Sequence, residues 1–346
     1  MSSPTIGSYF EQARPEYYSQ AVEAPWWNGH EHVTLAAGRH ALLIAAEELL
    51  HRRARRIALP DYLCQTMVEP FAGRLDISFY PLTDSLEPRQ GAFDAVQAGD
   101  AVLVCDYFGR KVPEGTVSEV ARAHHRGVLV VSDTTHGPFT PPAWPFDLGV
   151  ISLRKTLPLH DGAVLVGALI HPSKVSGTLS PDQVRSREAA ATSKRICVEA
   201  GQDASGPAGH LSAFEAYLDT VREPTRMSSE SATVLTMLDL AALARRRTDN
   251  SRALLKQLPV SAQPLPGYNE SASAFVVVQV QSARLAQAAL AAQGIFCPIH
   301  WPQPIELEGR PWRTDLLSIP VDHRYDADDM ARIANALQDH LEAEKT

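Results

Sequence analysis

The chain has 346 residues, of which 45% are hydrophobic and 21% are charged, as in a globular protein with a large core. Its net charge of −8 disfavours nucleic-acid binding, which needs clustered Lys and Arg, and no apolar run reaches the roughly 18 residues of a membrane span. The four scattered cysteines form no CxxC pair and the N-terminus has no signal-peptide pattern, so we expect a soluble, cytoplasmic protein without a disulfide framework.

The first half of the sequence predicts an α/β sheet. From about residue 33, helical patterns alternate with short apolar runs, which is typical of βαβ units and a largely parallel sheet. Helices are predicted over residues 41–50 and near 117–125. The predicted strands lie at 57–59, 77–80, 101–105, 128–132, 150–152 and 163–166. The stretch from about 171 to 210 is rich in Ser, Ala and Gly, which favours a mobile connection or a loop at a subunit contact.

The second half of the sequence predicts helices followed by a small α+β unit. A long helical pattern runs from about residue 231 to 258. Beyond it, strands are predicted at 275–280, 295–299 and 316–319, and helices at 283–292 and 327–341. We therefore expect a large domain over residues 1–255, including an N-terminal segment 1–32, and a small C-terminal domain over residues 256–346.

Two ionisable residues follow predicted strands and suggest a chemistry. Asp133 ends the apolar run 128–132, and ligands of open α/β sheets bind at the carboxyl edge of the strands. A carboxylate there can keep a pyridine nitrogen protonated, although Asp133 could equally cap the following turn. Lys155 follows the strand 150–152, where it could form a Schiff base with the aldehyde of pyridoxal phosphate (PLP). An apolar site lowers the pKa of such a lysine, which favours roles as nucleophile and proton shuttle.

Three further residues would complete a PLP site. Gly38 precedes a predicted helix, whose first N–H groups can bind a phosphate, and Ser152 could contact the same phosphate. His136 could contact the phenolic oxygen or the face of the ring, although a lone histidine is more often structural. The sequence has no G-x-G-x-x-G turn for a nicotinamide cofactor and no H-x-x-x-H or H-E-x-x-H pair for a metal.

These motifs, in this order, resemble those of the DegT/DnrJ-type aminotransferases, fold-type-I PLP enzymes that aminate keto sugars attached to nucleotides. The chain resembles a divergent branch of that superfamily. The matching segments are 37–42, 59–64, 106–109, 133–136, 154–155 with 161–163, 299–302 and 319–325. They span most of the chain, from about residue 35 to residue 335.

The resemblance implies a large, mostly parallel sheet sandwiched by helices and a small C-terminal α+β domain. It implies that Lys155 is the Schiff-base lysine and that Asp133 pairs with the pyridine nitrogen. The other cofactor-binding residues it implies are Gly38, Arg39, His40, Tyr62, Cys64, His136 and Ser152. It also implies a homodimer with active sites at the subunit interface, where the run 226–229 would approach the neighbouring cofactor.

The sequence departs from the family pattern at three positions. Ser152 lies three residues before the lysine rather than five, and Pro224 stands where the family has an asparagine. Cys64 occupies the position of a stacking aromatic, with Tyr62 nearby as a substitute. These differences bear on the nucleotide-sugar substrate more than on PLP.

The resemblance favours amino transfer from a small-molecule donor, expected to be glutamate, to a small keto acceptor, such as a keto sugar or a biosynthetic intermediate. Candidate substrate contacts are Arg39, Arg154, His300, Trp301 and Arg324. Two alternatives stay open. One is a PLP enzyme for elimination, replacement or condensation on an amino acid, and the other is a non-catalytic binding protein with the same fold.

Overall fold

The computed structural model describes residues 5–19, 23–167, 175, 177–202, 204–268 and 271–343. Its first strand, β1 (Ile6–Gly7), lies outside the main sheet. The helices are α1 (Gly38–His51), α2 (Gln65–Val68), α3 (Glu114–His125), α4 (Pro181–Glu199), α5 (Ser205–Thr220), α6 (Ser229–Met237), α7 (Leu240–Leu255), α8 (Ala283–Ala291) and α9 (Ala327–Ala343). Within the described part of the chain, no helix is long and apolar enough to cross a membrane.

The described residues form a nine-stranded main sheet. Its strands are β2 (His32–Leu35), β3 (Arg56–Pro60), β4 (Asp76–Tyr80), β5 (Ala101–Cys105), β6 (Leu129–Asp133), β7 (Leu148–Ile151), β8 (Ala163–Val166), β9 (Gly177–Thr178) and β10 (Thr225–Arg226). The order is β4-β3-β5-β6-β7-β8-β2-β10-β9, with β3 to β7 parallel and β8 antiparallel to both neighbours. The predicted parallel sheet is therefore confirmed, whereas β2, β9 and β10 were not predicted.

The sheet is covered by helices on both faces, and the alternation of β5 shows why. Ala101 and Leu103 pack into the cluster that contains Leu42 and Leu49 of α1. Val102 and Val104 point to the opposite face, into the cluster that contains α3. Successive side chains of a strand face opposite sides, so an uninterrupted apolar strand needs two apolar layers.

The segment predicted as a loop is largely helical in the structure. Residues 181–199 form α4 and residues 205–220 form α5, while residues 168–174 and 176 lie outside the described residues. The two helices pack against each other, with Ala190, Ala191 and Leu211 buried between them. Small side chains allow close helix contact, so the Ala-rich composition that suggested a loop serves a helix pair instead.

The helical pattern at 231–258 divides into α6 and α7. Leu238, between them, has extended backbone angles, and the Asp239 carboxylate accepts a hydrogen bond of 2.8 Å from the Ala242 backbone N–H. A side-chain cap of this kind starts a new helix, which explains why one continuous pattern yields two helices.

The C-terminal residues form a small antiparallel sheet of β11 (Gln263–Pro264), β12 (Phe275–Gln279) and β14 (Leu316–Pro320). Helices α8 and α9 pack together beside it, and α7 contacts α9. The strand predicted at 295–299 is shorter: β13 (Ile295–Phe296) pairs in parallel with β1 and ends before Pro298. Proline has no N–H for a ladder, and the chain turns there towards the cavity described next.

Candidate active site

A cavity of about 770 Å³ lies where the carboxyl ends of β5, β6 and β7 meet, a volume typical of small-molecule sites. The predicted site residues that line it are Gly38, Arg39, Cys64, Asp133, His136, Ser152, Arg154, Lys155, His300, Trp301 and Arg324. Asp133 and Lys155 thus face one cavity. Parallel strands deliver their carboxyl ends to one edge, which brings these distant residues together.

Asp133 ends β6 and offers a half-buried carboxylate to the cavity. Its Oδ1 accepts a hydrogen bond of 2.9 Å from the Thr135 backbone N–H. Burial raises its pKa, and the hydrogen bonds from Thr135 oppose that rise. No salt bridge to Asp133 occurs among the described residues. A carboxylate in this position is suited to a cationic or N–H donor group of a ligand.

Lys155 ends a single 3-10 turn (Leu153–Lys155) that follows β7. Its side chain is 51% exposed because it borders the cavity. Its Nζ lies 3.3 Å from Oε2 of Glu215. Arg154 pairs with the same oxygen. Repulsion from the Arg154 guanidinium, followed by burial, lowers the pKa of Lys155, while the Glu215 carboxylate opposes that shift. The amine can therefore lose its proton more readily than an ordinary lysine.

The N-terminus of α1 forms a third side of the cavity. Ala37 precedes the helix and supplies no side-chain cap, and the His40 N–H donates to its carbonyl oxygen, so the N–H groups of Gly38 and Arg39 are left for a ligand. Ser152 lies directly against Gly38, where an added Cβ would come within 3.0 Å of Ser152 Cβ and 3.2 Å of its Oγ. The Ser152 N–H donates to the Thr135 hydroxyl at 3.0 Å, which ties this corner to Asp133. The corner combines a helix dipole with a hydroxyl, which suits a phosphate.

Two predicted cofactor ligands lie outside the cavity lining. His40 is fully buried, and its Nε2 contacts the Val221 carbonyl oxygen at 3.1 Å. Tyr62 is also buried and donates its hydroxyl proton to the His300 carbonyl oxygen. The ring of Tyr62 packs against Trp301 and Trp312. Both residues lie behind the cavity wall and stabilise it, since each side chain contacts a backbone carbonyl oxygen.

An aromatic group closes the side of the cavity next to Asp133. The rings of His136 and Phe108 stack with centroids 5.0 Å apart, and Trp301 lies 5.9 Å from His136 at an angle of 13°. Burial, followed by the charge of Lys155, lowers the pKa of His136 to about 4. His136 is therefore neutral near pH 7, and its Nδ1 accepts a hydrogen bond from the Phe108 N–H.

All three predicted substrate arginines have protein partners: Arg154 pairs with Glu215, and the other two pair elsewhere. Arg324 pairs with Asp322 at 2.8 Å and Glu11 at 3.3 Å, and its guanidinium lies 4.4 Å from the centroid of Phe10. Arg39 donates to the Asp219 carboxylate at 3.2 Å. Both line the cavity, but neither offers an unpaired charge to it.

The run 226–229 contacts Asp161 and Gly162 of its own chain, in the turn that precedes β8. Ser228 donates its backbone N–H to Asp161 at 2.8 Å. A Cβ added to Gly162 would lie 2.8 Å from Met227 Cε. The run therefore stabilises the turn that precedes β8.

Sequence reasoning missed several residues of the cavity wall. Arg187 comes from α4, in the segment that was expected to be a loop, and Glu215 and Asp219 come from α5, just beyond that segment. Asp106, after β5, has its pKa raised to about 7 by burial, opposed by Arg110. Its position after a buried strand was the one usable signal, because Asp133 was identified by the same criterion.

No family model matches the sequence, and no curated protein matches it. Solved structures do match. One is a Streptococcus pneumoniae protein described as a sugar aminotransferase, in its PMP form (TM-score 0.64, 11% identity, 97% of this chain and 99% of that chain). Another is the aminotransferase TlmJ of Streptoalloteichus hindustanus (TM-score 0.60, 17% identity, 91% and 87%). A third is a DegT DnrJ EryC1 StrS aminotransferase of Brucella abortus (TM-score 0.58, 15% identity, 90% and 87%).

The likeness to these aminotransferases extends over nearly the whole length of each chain. It shows that this chain has the fold-type-I architecture that the sequence predicted, because identities this low establish fold alone. Among the described residues, no group of three or more His, Cys, Asp or Glu side chains could hold a metal ion.

Proposed function

We propose that this chain is a PLP-dependent aminotransferase that moves an amino group from an amino-acid donor to a small keto acceptor. The observation that carries the proposal is that Asp133, Lys155 and the N-terminus of α1 border a single cavity. The fold of known aminotransferases supports it.

The residues present fit the cofactor. The half-buried Asp133 carboxylate, without an ion-pair partner in the described part of the chain, would hold the pyridine nitrogen. The uncapped start of α1 and Ser152 would hold the phosphate, and Lys155 would hold the aldehyde carbon. When bound, PLP supplies an electron sink that stabilises negative charge on the substrate carbon.

The overall exchange balances without a further reactant. The donor gives up its amino group and becomes a keto acid, and the acceptor exchanges its carbonyl oxygen for that amino group. The Lys155 amine, with its lowered pKa, would take a proton from the donor carbon and return it to the acceptor carbon. The neutral His136 and the Phe108–Trp301 group would keep bulk water from one side of the cavity.

A keto sugar is the acceptor class that the neighbouring structures suggest, since one of them is described as a sugar aminotransferase. Glutamate as the donor and a homodimer are further parts of the proposal, supported by the sequence resemblance. A cytoplasmic location is also part of it, supported by the four scattered cysteines without a CxxC pair.

The test is a half-reaction. Purified protein reconstituted with PLP is mixed with L-glutamate, and the amine form of the cofactor and 2-oxoglutarate are measured together. Equal amounts of both products are expected. Lys155→Ala should abolish the cofactor absorbance band near the visible edge, with Lys256→Ala, a lysine outside the cavity, as the control.

Other outcomes would contradict the proposal. Release of a keto acid and ammonia from L-serine, whose β-hydroxyl can leave, without the amine form of the cofactor would indicate elimination. Failure to retain PLP would indicate a non-catalytic protein, and an unchanged band in Lys155→Ala would remove Lys155 from its role.

A further inference from the structure

Helix α4 places a buried arginine without an ion-pair partner in the wall of the cavity. Arg187 is 4% exposed, and it is among the residues that line the cavity. Its Nη2 donates to the Phe10 carbonyl oxygen at 3.2 Å, whereas its Nε and Nη1 have no hydrogen-bond partner. Burial lowers its pKa to about 10; the Glu215 carboxylate opposes this shift and repulsion from Arg154 adds to it, so Arg187 is still charged at neutral pH.

The same helix shows how this chain neutralises another buried cation. Lys194, two turns along α4 and 3% exposed, has Glu11 at 3.7 Å. Arg187 has no carboxylate within 4.0 Å among the residues that the structure describes. Buried charges in proteins are normally paired and hydrogen-bonded, so the contrast between the two cations points to a missing anion at Arg187.

The surrounding charges strengthen this reading. Arg154, Lys155 and Arg187 form a group of three cations around the one carboxylate of Glu215, which Arg154 and Lys155 already share. Adding an anion to such a group is favourable, because electrostatic attraction is strong where water is excluded.

We infer that Arg187, assisted by Arg154, binds a carboxylate group of the amino-acid donor and of the keto acid formed from it. This inference rests on the proposed aminotransferase function, since it names part of the substrate of that site. A planar guanidinium carries five N–H donors in a fixed arrangement, and at Arg187 those on Nε and Nη1 have no protein partner and are available to a carboxylate. A phosphate is also an anion, but the start of α1 already provides a separate phosphate seat.

The experiment measures anion binding to the apoprotein by calorimetry, with succinate and inorganic phosphate as separate probes. Wild type is expected to bind succinate. Arg187→Gln should weaken succinate binding by about 10- to 100-fold, the scale of one charge-assisted pair, and Arg187→Lys should have an intermediate effect. Arg185→Gln is the matched control, because Arg185 lies on the same helix but is exposed and paired with Asp182. Phosphate binding should persist in Arg187→Gln.

Kinetics of the PLP-loaded protein give a second readout. In Arg187→Gln, the preference for L-glutamate over an amine without a carboxylate should fall by about the same factor as succinate affinity, mainly through KM. A melting curve checks that Arg187→Gln is folded. If it is not, the donor preference of Arg187→Lys tests the role of Arg187 instead.

Several results would overturn the inference. These are no succinate binding by wild type, equal succinate binding by wild type and Arg187→Gln, or equal losses of succinate and phosphate binding. An unchanged donor preference in a folded variant would assign Arg187 to holding the Phe10 segment instead. Failure of the protein to retain PLP, with succinate binding still dependent on Arg187, would contradict the proposed function but leave the anion site in place.

Discussion

The Nζ atom of Lys155 lies 3.3 Å from Oε2 of Glu215, a residue sixty positions later in the chain. Arg154 donates to the same carboxylate, so one acid lies between two adjacent bases. Burial would raise the pKa of Glu215, but Arg154 and Lys155 outweigh it and lower the pKa. Glu215 therefore stays ionised, and its charge counters the effect of Arg154 on the lysine.

The two neighbours of Lys155 should shift its pKa in opposite directions. Glu215→Gln removes the attraction that raises the Lys155 pKa, so the pKa should fall further. Arg154→Gln removes the largest cause of the lowering, so the pKa should rise. The measurement is the pH profile of PLP incorporation into apoprotein, which requires the neutral amine. Shifts in the same direction for both variants would contradict this arrangement.

Asp133→Asn should slow the half-reaction about 100-fold, because a neutral amide cannot hold the pyridine nitrogen protonated. Retention of PLP should change less, since the phosphate seat is intact. Asp106→Asn is the comparison, because Asp106 is another half-buried acid of the cavity wall with no assigned contact to the ring. A larger loss of rate in Asp106→Asn than in Asp133→Asn would assign the contact with the pyridine nitrogen to Asp106 instead.

Gly38→Ala should weaken PLP affinity about tenfold or more, the equivalent of an overpacking cost of about 1–3 kcal/mol. The added methyl group would lie 3.0 Å from Ser152 Cβ and displace the hydroxyl from the phosphate seat. Gly115→Ala, at the start of α3, is the control, because nothing lies within 4 Å of its added Cβ. Fluorescence titration of apoprotein with PLP measures both, and equal affinities would argue against this seat.

His160 should make the apoprotein acid-labile. Burial, followed by the charge of Arg187, lowers its pKa to about 4 from 6.5, so the unfolded chain binds its proton first as pH falls. The stabilisation is complete above pH 6.5 and is lost as pH falls towards 4, about 2 kcal/mol of it between pH 7 and 5. His160→Gln should therefore lose less stability than wild type over that interval in urea titrations. An equal loss in both proteins would exclude His160 as the cause.

Much of the sheet could be predicted from the sequence. Strands such as 101–105 and 163–166 coincide with β5 and β8, because a strand covered on both faces must be apolar throughout. Asp133 and Lys155 could be identified for a related reason. A polar residue that follows a buried strand lies at the carboxyl edge of the sheet, which is where ligands bind.

The sequence did not indicate Glu215 or Arg187. Both lie on helices of weak amphipathic pattern, and the Ala, Ser and Gly of this stretch are compatible with a loop. Likewise, His40 and Tyr62 stand beside true cavity residues in the sequence, but each turns its side chain to a backbone carbonyl. Neighbours in sequence point in different directions once they are in a helix or turn.

The sequence alone determined the layered α/β architecture and the positions of one acid and one lysine on one sheet edge, because an uninterrupted apolar run and the polar residues after it are local information. The tertiary structure alone decided which charges meet around that lysine. Packing of α4 and α5 against the cavity brings Arg187 and Glu215 close to Arg154. Contacts between residues this far apart in the sequence depend on how whole helices pack.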